Sequence, residues 1–482
     1  MLQVTSSLDV VRPATDWRVV TKGKRLMRNF TLAIFVLLVP SHLTAAAADP
    51  AGSPKVLERL QAGSEAGSEE HLHAIEQRAK GEGPPLTLEA ALNEALEKNA
   101  ELIALRQEFE AARQRPGQDR FLDAPTFEAQ IWQWPINTLN PLNTNMYMLM
   151  FNQDVPGRGK RALREAVTEK DVALASNEIA VRARDVIGRI KRTYADLFVS
   201  RKALEIHLAS VGLLRQLADA TAARYETGRT SQHDILKAVL EVSKLHDDLV
   251  MLDERAQTAQ AQLNTLLNRA PEAPIGALGV PYERALLPPS EELQRLALER
   301  QPELRSAQLG TERAEAALAV VARDYKPDFF VGGGYMLMPR DHDAWTATVG
   351  MTWPSAPWSR GRLDARKAEA TAEIEAARAR RRVVENQVRL AVQEAYIRVK
   401  TAEQRAALLR TTIMPQSEQT FEVSRVAYQT DRVDFLAILD NQRALLDAQL
   451  GYYRALSDFE QALADLERAV GIDIPAAAVE AK

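Results

Sequence analysis

The sequence predicts a mainly α protein with a small β part, built as a tandem repeat of long antiparallel coiled-coil helices plus two β-hairpins. Three observations predict this fold. The chain of 482 residues matches itself at an offset of about 202, each half holds a stretch of about 70 residues with at most one proline, and two strand-like segments precede each stretch. Stacking repeats have periods of roughly 20 to 50 residues, so each unit here is a larger supersecondary assembly.

The repeat sets the domain limits. The matching pairs are Ala95 with Ala297, Pro125 with Pro327, Arg158 with Arg360 and Tyr194 with Tyr396 at offset 202, then Tyr225 with Tyr428, Ile235 with Ile438 and Leu236 with Leu439 at offset 203. One register shift therefore intervenes. We predict a first repeat over residues 87–275, a linker over 276–289, a second repeat over 290–474 and a tail over 475–482.

The N-terminus predicts export. Basic residues, the last of them Arg28, precede an apolar run over residues 30–39 and a small-residue stretch over 45–48, which is the order of a cleaved signal peptide. A membrane-spanning helix needs about 20 apolar residues, so a membrane anchor is the weaker alternative. We predict a signal peptide over residues 1–48. The Ala-, Gly-, Glu- and Ser-rich composition of residues 49–86 predicts a flexible lead-in.

Each repeat opens with a helix and two strands. The helices are expected to begin at Leu88 and Glu291 and to end near Pro116 and Pro327. Enrichment in β-branched and aromatic residues, with turn residues between, then predicts strands. They cover residues 127–134 and 143–151 in the first half and residues 329–338 and 345–353 in the second.

Two long helices follow the strands, over residues 158–226 and 360–428. At about 1.5 Å per residue each would be on the order of 100 Å long, which indicates a coiled-coil or tube-like setting. Heptad series support this. They run through Ile190, Leu197, Leu204 and Val211, through Ile187, Tyr194 and Leu208 with an interruption at Arg201, through Ile235, Val242, Leu249, Ala256 and Leu263, and through Ile438, Leu445, Tyr452, Phe459 and Leu466. Each half is therefore a strand hairpin plus an antiparallel coiled-coil hairpin.

Composition excludes several classes of function. The chain has no cysteine, which excludes disulfides, thiolate metal sites, cysteine nucleophiles and lipidation on cysteine. It has 61 Lys and Arg against 65 Asp and Glu without a large basic block, so no nucleic-acid partner is expected. No phosphate-binding glycine loop, zinc-protease helix or serine nucleophile turn is present, so we expect neither an enzyme nor a cofactor.

Strands attached to very long helices in an exported protein favour a sheet in the outer membrane, where a closed barrel satisfies the backbone. Four strands cannot close a barrel, because the smallest single-chain barrels have about eight. The chain would therefore share a barrel with identical copies. A soluble sheet with short covering hairpins is the alternative, although the aromatic strand residues would then require burial.

Several short motifs occur in a specific order along the two halves. They are Tyr225-x-x-Gly228 and Tyr428 at the helical turns, residues 300–304 (RQPEL), Gly159-Lys160-Arg161 and Gly361-Arg362. Their order resembles that of the TolC outer-membrane efflux channels over residues 87–474. The resemblance implies a homotrimer with a 12-stranded outer-membrane barrel continued by a periplasmic helical barrel. It also implies a periplasmic adaptor and an inner-membrane pump of the RND type as partners. Without cysteine, we expect a member that is not lipid-anchored.

The resemblance also implies a periplasmic gate and an adaptor-binding tip. The family carries aspartates six and nine residues after the glycine of the second helical turn; Asp431 holds the glycine position here, so Asp440 matches one aspartate and Ala437 replaces the other. Asp434 lies nearby, and a solvated helix carboxylate is the simpler interpretation of both aspartates. The tip residues are Thr227, Gly228, Arg229, Ser231, Thr430, Asp431 and Arg432. Ser231 and Asp434 are also expected helix N-caps.

The strands hold an unusual number of methionines: Met146, Met148, Met150, Met336 and Met338 are five of the ten in the chain. The repeat aligns Tyr147, Leu149 and Phe151 with the apolar residues Val349, Met351 and Trp353, which predicts a lipid-facing side. The methionines then face the lumen. Thioethers are soft ligands for Cu(I) or Ag(I), but adaptable packing is the simpler role. His71, His73 and residues 341–343 (DHD) are weak metal-binding signals.

The sequence thus predicts an outer-membrane channel for a tripartite efflux or export system, which passively conducts substrate from an inner-membrane transporter. The segment from Pro156 to Arg161 is similar to the heavy-metal efflux branch of the family, so metal ions and drugs both remain candidate substrates. The alternative is a periplasmic coiled-coil adaptor or interaction protein without a membrane barrel.

Overall fold

The structure is a computed structural model, which describes residues 68–133, 136–137, 140, 143–280, 287–430 and 432–474. The predicted signal peptide, residues 49–67 of the lead-in, residues 281–286 of the linker, Asp431 and the tail lie outside these residues. In the described part of the chain, no helix combines the length and apolar character needed to cross a membrane.

Both halves show the predicted order of elements. The first half contains α1 (Ser68–Lys80), α2 (Leu88–Lys98), α3 (Ala100–Ala112), α4 (Arg115–Arg120), β1 (Thr126–Trp132), β2 (Met146–Val155), α5 (Lys160–Glu226) and α6 (Gln232–Leu266). The second contains α7 (Ser290–Arg300), α8 (Pro302–Arg323), β3 (Phe329–Leu337), β4 (Ala344–Met351), α9 (Arg360–Leu408), a π-helical turn (Leu409–Ile413), α10 (Met414–Gln429) and α11 (Phe435–Val470). The two β-hairpins join in one antiparallel sheet with the order β1-β2-β3-β4.

The strand limits differ most from the prediction at β2, which runs from Met146 to Val155 rather than over residues 143–151. Its last residues stay in the sheet because they pair with β3, where Val155 lies opposite Phe329. At its other end, the Thr144 hydroxyl donates to the Trp132 carbonyl at 2.5 Å, which holds the turn before the strand begins.

The first helix of each half, predicted as continuous, is broken at matching positions, Asn99 and Gln301. The Asn99 side chain accepts hydrogen bonds from the backbone N–H groups of Glu101 and Leu102, at 3.0 and 3.4 Å, and so caps α3. Gln301 precedes Pro302, and a residue before proline is disfavoured in the helical conformation. A polar side chain that competes for backbone groups therefore ends one helix and starts the next.

The prediction of a flexible lead-in is wrong for residues 68–80, which form α1 and pack on α5 and α6. Ile75 is fully buried in the core between the long helices. The Arg78 guanidinium binds the Asp253 carboxylate of α6 through two hydrogen bonds of 2.7 and 2.8 Å. Leu72, Ile75 and Ala79 are spaced so that they lie on one side of α1 and face the core. The average composition of residues 49–86 does not reveal this local pattern.

The predicted heptads form the helical seams. Ile190, Leu197, Leu204 and Val211 of α5 are each 3% exposed or less. Arg201, which interrupts the neighbouring series, is also buried. Its guanidinium donates to the carbonyl oxygens of Ile275 and Gly276 at 2.8 and 2.7 Å, and so ties α5 to the chain that follows α6. The interruption therefore marks a structural contact and not a weak point in the coiled coil.

The π-helical turn explains the register shift in the repeat. It lies between the matching tyrosines Tyr396 and Tyr428, where the offset changes from 202 to 203, whereas α5 is continuous over the corresponding part of the first half. The Met414 N–H donates to the Leu409 carbonyl, five residues back. A π-helical turn holds one more residue than an α-helical turn, so the second half absorbs its extra residue there without changing the faces on either side.

Candidate functional site

The strand register divides the sheet into two faces, because directly paired residues point to the same side. Leu149 lies opposite Ala129 and Tyr335, and Tyr335 lies opposite Trp345. One residue along β2, Met148 lies opposite Gln130 and Met336. Leu149 and its partners belong to an apolar face, and Met148 and its partners belong to a face on which methionines and polar residues predominate.

The apolar face is open to its surroundings. Its members are Phe127, Ala129, Ile131, Tyr147, Leu149, Phe151, Gln153, Val155, Phe329, Val331, Gly333, Tyr335, Leu337, Trp345, Ala347, Val349 and Met351, of which Gln153 is the one with a polar amide side chain. Trp345 and Val349 are 81% and 80% exposed. Every substantial contact that the strands make in the described chain is with another strand. The prediction that Tyr147, Leu149 and Phe151 share a face with Val349 and Met351 is confirmed, whereas Trp353 lies beyond the end of β4.

The opposite face carries four of the five strand methionines: Met146, Met148, Met150 and Met336. Met338 lies one residue beyond the end of β3. The other residues of this face are Thr126, Glu128, Gln130, Trp132, Asn152, Asp154, Phe330, Gly332, Gly334, Ala344, Thr346, Thr348 and Gly350. A Cβ atom at Gly334 would lie 2.5 Å from the Met150 sulfur, so glycine leaves room for that thioether. The β2 methionines therefore lie on the face opposite the apolar residues, and their orientation toward the lumen stays a prediction.

The tips of the two helical hairpins lie side by side. The turn between α5 and α6 and the turn between α10 and α11 line one open groove of about 990 Å³. Gly228 has a φ of +70°, a left-handed conformation that favours glycine. The matching Asp431 lies outside the described residues. The other predicted tip residues are exposed on these turns: Thr227, Gly228, Arg229, Ser231, Thr430 and Arg432.

Two predicted N-caps close the starts of the returning helices. Ser231 and Asp234 form a reciprocal capping box, with Asp234 N–H donating to Ser231 Oγ at 3.3 Å and Ser231 N–H donating to Asp234 Oδ2 at 3.2 Å. Partial burial would raise the pKa of Asp234, but hydrogen bonds from Thr230 and Ser231 outweigh it and lower the pKa. Asp434 accepts from Ala437 N–H at 3.0 Å and caps α11.

A further contact that the sequence did not reveal joins the two tips. The Arg224 guanidinium donates to the Tyr428 carbonyl oxygen at 2.6 Å and lies 4.4 Å from the centre of the Tyr428 ring. The Tyr428 hydroxyl shares a hydrogen bond of 2.9 Å with Thr221. The repeat singled out Tyr428 as a matching residue, but nothing in the sequence identified its partners, because they lie more than 200 residues earlier.

The predicted gate residue Asp440 is on α11, with its side chain 74% exposed and 3.7 Å from an Arg443 nitrogen. Arg443 also binds Glu241 of α6, with Nε donating to Oε1 at 2.7 Å. Hydrogen bonding from Arg443 holds the pKa of Glu241 below its ordinary value, and the carboxylate raises the pKa of Arg443. Asp434 acts at the helix end instead, so the structure gives the two predicted gate residues different local roles.

The His and Asp residues that the sequence offered as weak metal-binding signals do not form a metal site in the described part of the chain. Among the residues that the structure describes, no group of three or more His, Asp and Glu side chains is placed to hold a metal ion. His73 contacts Gln77 at 3.2 Å within α1. Asp341 accepts from His342 N–H at 2.7 Å, whereas Asp343 accepts from Met338 N–H at 3.0 Å and from the Tyr335 hydroxyl.

The comparison with protein families decides the assignment. The outer membrane efflux protein family matches residues 91–269 and 293–472, which are the two repeats. The chain belongs to this family. It is therefore the outer-membrane channel component of a tripartite efflux or export system, through which substrate passes from an inner-membrane transporter by way of a periplasmic adaptor. It lies in the outer membrane and has a large periplasmic part. The adaptor alternative is not supported.

The chain is also similar to a curated relative, and its fold is similar to those of solved structures. The chain is 24% identical over 365 residues to the cobalt-zinc-cadmium resistance protein CzcC of Cupriavidus metallidurans, covering 74% of this chain and 84% of CzcC. Its fold is similar to that of the channel OprN, with a TM-score of 0.66, 19% identity and coverage of 80% and 89% of the two chains. CusC gives a TM-score of 0.68 at 15% identity, with coverage of 80% and 92%. The matched proteins are channels and not enzymes.

Proposed function

We propose that three copies of this efflux channel close a 12-stranded barrel in the outer membrane, with four strands from each. The observation that carries this proposal is the open apolar face of the sheet. In the described part of the chain, β1 and β4 each pair along one edge only. A membrane requires every backbone group to be paired, and a lipid-facing barrel surface is apolar, so shared closure accounts for both features.

The long helices then continue the barrel as a periplasmic duct. The hairpin of α5 and α6 and the hairpin of α10 and α11 end together at the tip groove. The exposed turn residues, which include Arg229 and Arg432, are in position to bind the adaptor. Asp440 projects from α11 close to this end. Three copies of Asp440 around a symmetry axis would repel one another and favour cations, which would make a selective constriction.

The proposed cargo is a heavy-metal cation, delivered by a pump of the RND type. The support is the similarity to CzcC, which is named for resistance to cobalt, zinc and cadmium. The segment from Pro156 to Arg161, which connects β2 to α5, is also similar to the heavy-metal branch of the family.

Metal content of cells tests the cargo. Cells that lack the gene should accumulate cobalt, zinc, cadmium or copper when challenged, as measured by mass spectrometry of washed cells. Complementation with the wild-type gene should restore low metal content. If metal content is unchanged while sensitivity to organic drugs rises, the cargo proposal fails and the channel assignment stands.

A further inference from the structure

The methionines of the sheet form a compact group on one face. Met148 and Met336 are direct cross-strand partners, and Met146 and Met150 flank Met148 two residues away on the same strand. Directly opposed Cβ atoms in an antiparallel sheet lie about 4.5–5.5 Å apart, and diagonal neighbours about 7–8 Å apart. Methionine side chains have three rotatable bonds, so sulfur atoms at these separations can converge on one point.

One of the sulfurs already lies over the neighbouring strand. The Met150 sulfur occupies the space that a side chain at position 334 would fill, since a Cβ there would be 2.5 Å away. Gly334 lies two residues before Met336 on β3. The thioether of Met150 therefore leans toward the strand that carries Met336, on the same face as the Met148–Met336 pair.

We propose that Met148, Met150 and Met336, with Met146 beside them, bind a soft monovalent cation, Cu(I) or Ag(I). Thioether sulfur is a soft ligand that favours Cu(I) over hard cations. It carries no proton to lose, so the site stays available in acid. Glu128 lies opposite Met150 and adds a negative charge to the same face, next to Gln130.

Packing does not account for these methionines in the single chain. The four are half-buried, and no helix of the described chain makes a substantial contact with the sheet. Trp132 lies opposite Met146. The other residues directly opposite the four methionines are small, polar or methionine: Gln130, Glu128, Gly334 and Ala344. A core that needed adaptable filling would be lined mainly by apolar residues, whereas most of the apolar residues of this sheet lie on the other face.

The proposal rests on the proposed function for its benefit to the cell, because a cation site inside the barrel would serve an exported cation. A conducting channel requires binding strong enough to admit the ion and weak enough to release it. The methionine site would therefore be a weak cation-binding site along the passage. Cation binding at this site can be measured on the extracted protein, without a transport assay.

Silver binding to the detergent-extracted protein tests the site. Wild type, Met148→Leu/Met336→Leu and Met351→Leu would be dialysed against silver nitrate in chloride-free buffer, and bound silver counted by mass spectrometry. Leucine conserves volume, and Met351 is the matched control because it lies on the apolar face of the same sheet, opposite Phe329. We expect wild type and Met351→Leu to bind silver equally and the double variant to lose the binding.

Equal silver binding by the two variants would overturn the proposal. If the double variant fails to assemble, Met150→Leu provides a milder change with the same expected direction. X-ray absorption of the bound silver gives a second readout. The chain has no cysteine, so sulfur neighbours must be methionine, and a shell of oxygen and nitrogen alone would contradict the site. A trimer that binds no silver refutes only this site, whereas a monomer refutes the shared barrel.

Discussion

Asp440 is a surface carboxylate near the tip of α11, and its neighbours decide what it can do. Arg443, 3.7 Å away, is already bound to Glu241, so it only partly neutralises the aspartate. Net negative charge therefore remains on an exposed surface. Brought together by symmetry, three such groups would concentrate cations at the periplasmic end.

Asp440→Asn should raise single-channel conductance and weaken block by multivalent cations, because the ring of charge is lost. Planar-bilayer recording measures both. Asp458→Asn is the control, since Asp458 lies on the same helix and pairs with Arg405 at 3.1 Å, farther from the tip. Unchanged block in Asp440→Asn would remove this residue from the gate.

The Glu241–Arg443 pair joins the two helical hairpins, and its effect on stability should depend on pH. The pKa of Glu241 in the folded protein lies below its ordinary value of 4.5, so the pair stabilises the fold at neutral pH and loses its effect as pH falls below 4.5. Arg443 is partly exposed, which limits the contribution to about 1 kcal/mol. Glu241→Gln should lower the unfolding temperature at about pH 7, and this deficit should shrink at about pH 3, as measured by circular dichroism.

Glu254→Gln, an exposed change on the same helix, should leave the unfolding temperature unaltered at both pH values. A deficit of Glu241→Gln that persists unchanged in acid would mean that the side chain stabilises through packing and not through charge.

At single positions the sequence predicted the local role of a residue better than its long-range contacts. Ser231 and Asp434 were readable as N-caps because a cap contacts backbone only three residues away. Arg201 was visible only as an interruption, since its partners are carbonyl groups about 75 residues later. Glu241 and Arg443 carried no signal at all, because their pairing depends on how two hairpins pack.

The π-helical turn is the element that distinguishes the second hairpin from the first. It precedes Pro415, which has no N–H to donate to the carbonyl four residues back, so a regular α-helical turn would leave that group unpaired. Leu409 at its start packs against Gly451 and Ala455 of α11. The turn therefore absorbs an extra residue at a place where the helix is already weakened.

Deleting Thr412 should restore a continuous helix and leave the faces of α10 in place. The protein should still assemble, with an unfolding temperature within a few degrees of wild type. Deleting Ser210 at the corresponding place in α5 should instead rotate everything beyond it by about 100° and abolish assembly. Size-exclusion chromatography of membrane extracts compares the two; equal loss of assembly would refute the role given to the turn.

The elements that the sequence predicted well were those with long, regular patterns. The seams of α5, α6 and α11 follow heptads over many turns, and the strands follow a repeat that fixed their faces. The sequence did not predict the helix breaks at Asn99 and Gln301 or the helix α1. Each of these features depends on only a few residues. Short segments carry too little periodic signal to outweigh composition.

In the proposed barrel the apolar face of the sheet contacts lipid, so a charge on that face should prevent membrane assembly. Val349→Arg puts arginine on the apolar face, where it would cost about 2–4 kcal/mol near the middle of the bilayer. Thr348→Arg places the same residue on the opposite face of the same strand and should be tolerated. The amount of protein in washed outer membranes measures the difference. Equal amounts would contradict the assignment of the two faces.

If three copies share one barrel, the mass of the extracted protein will be that of a trimer. Protein extracted with detergent from washed outer membranes would be measured by light scattering, with the detergent contribution subtracted. Shared closure predicts the mass of three mature chains. A monomer that stays in solution without detergent would contradict the barrel and the channel built on it.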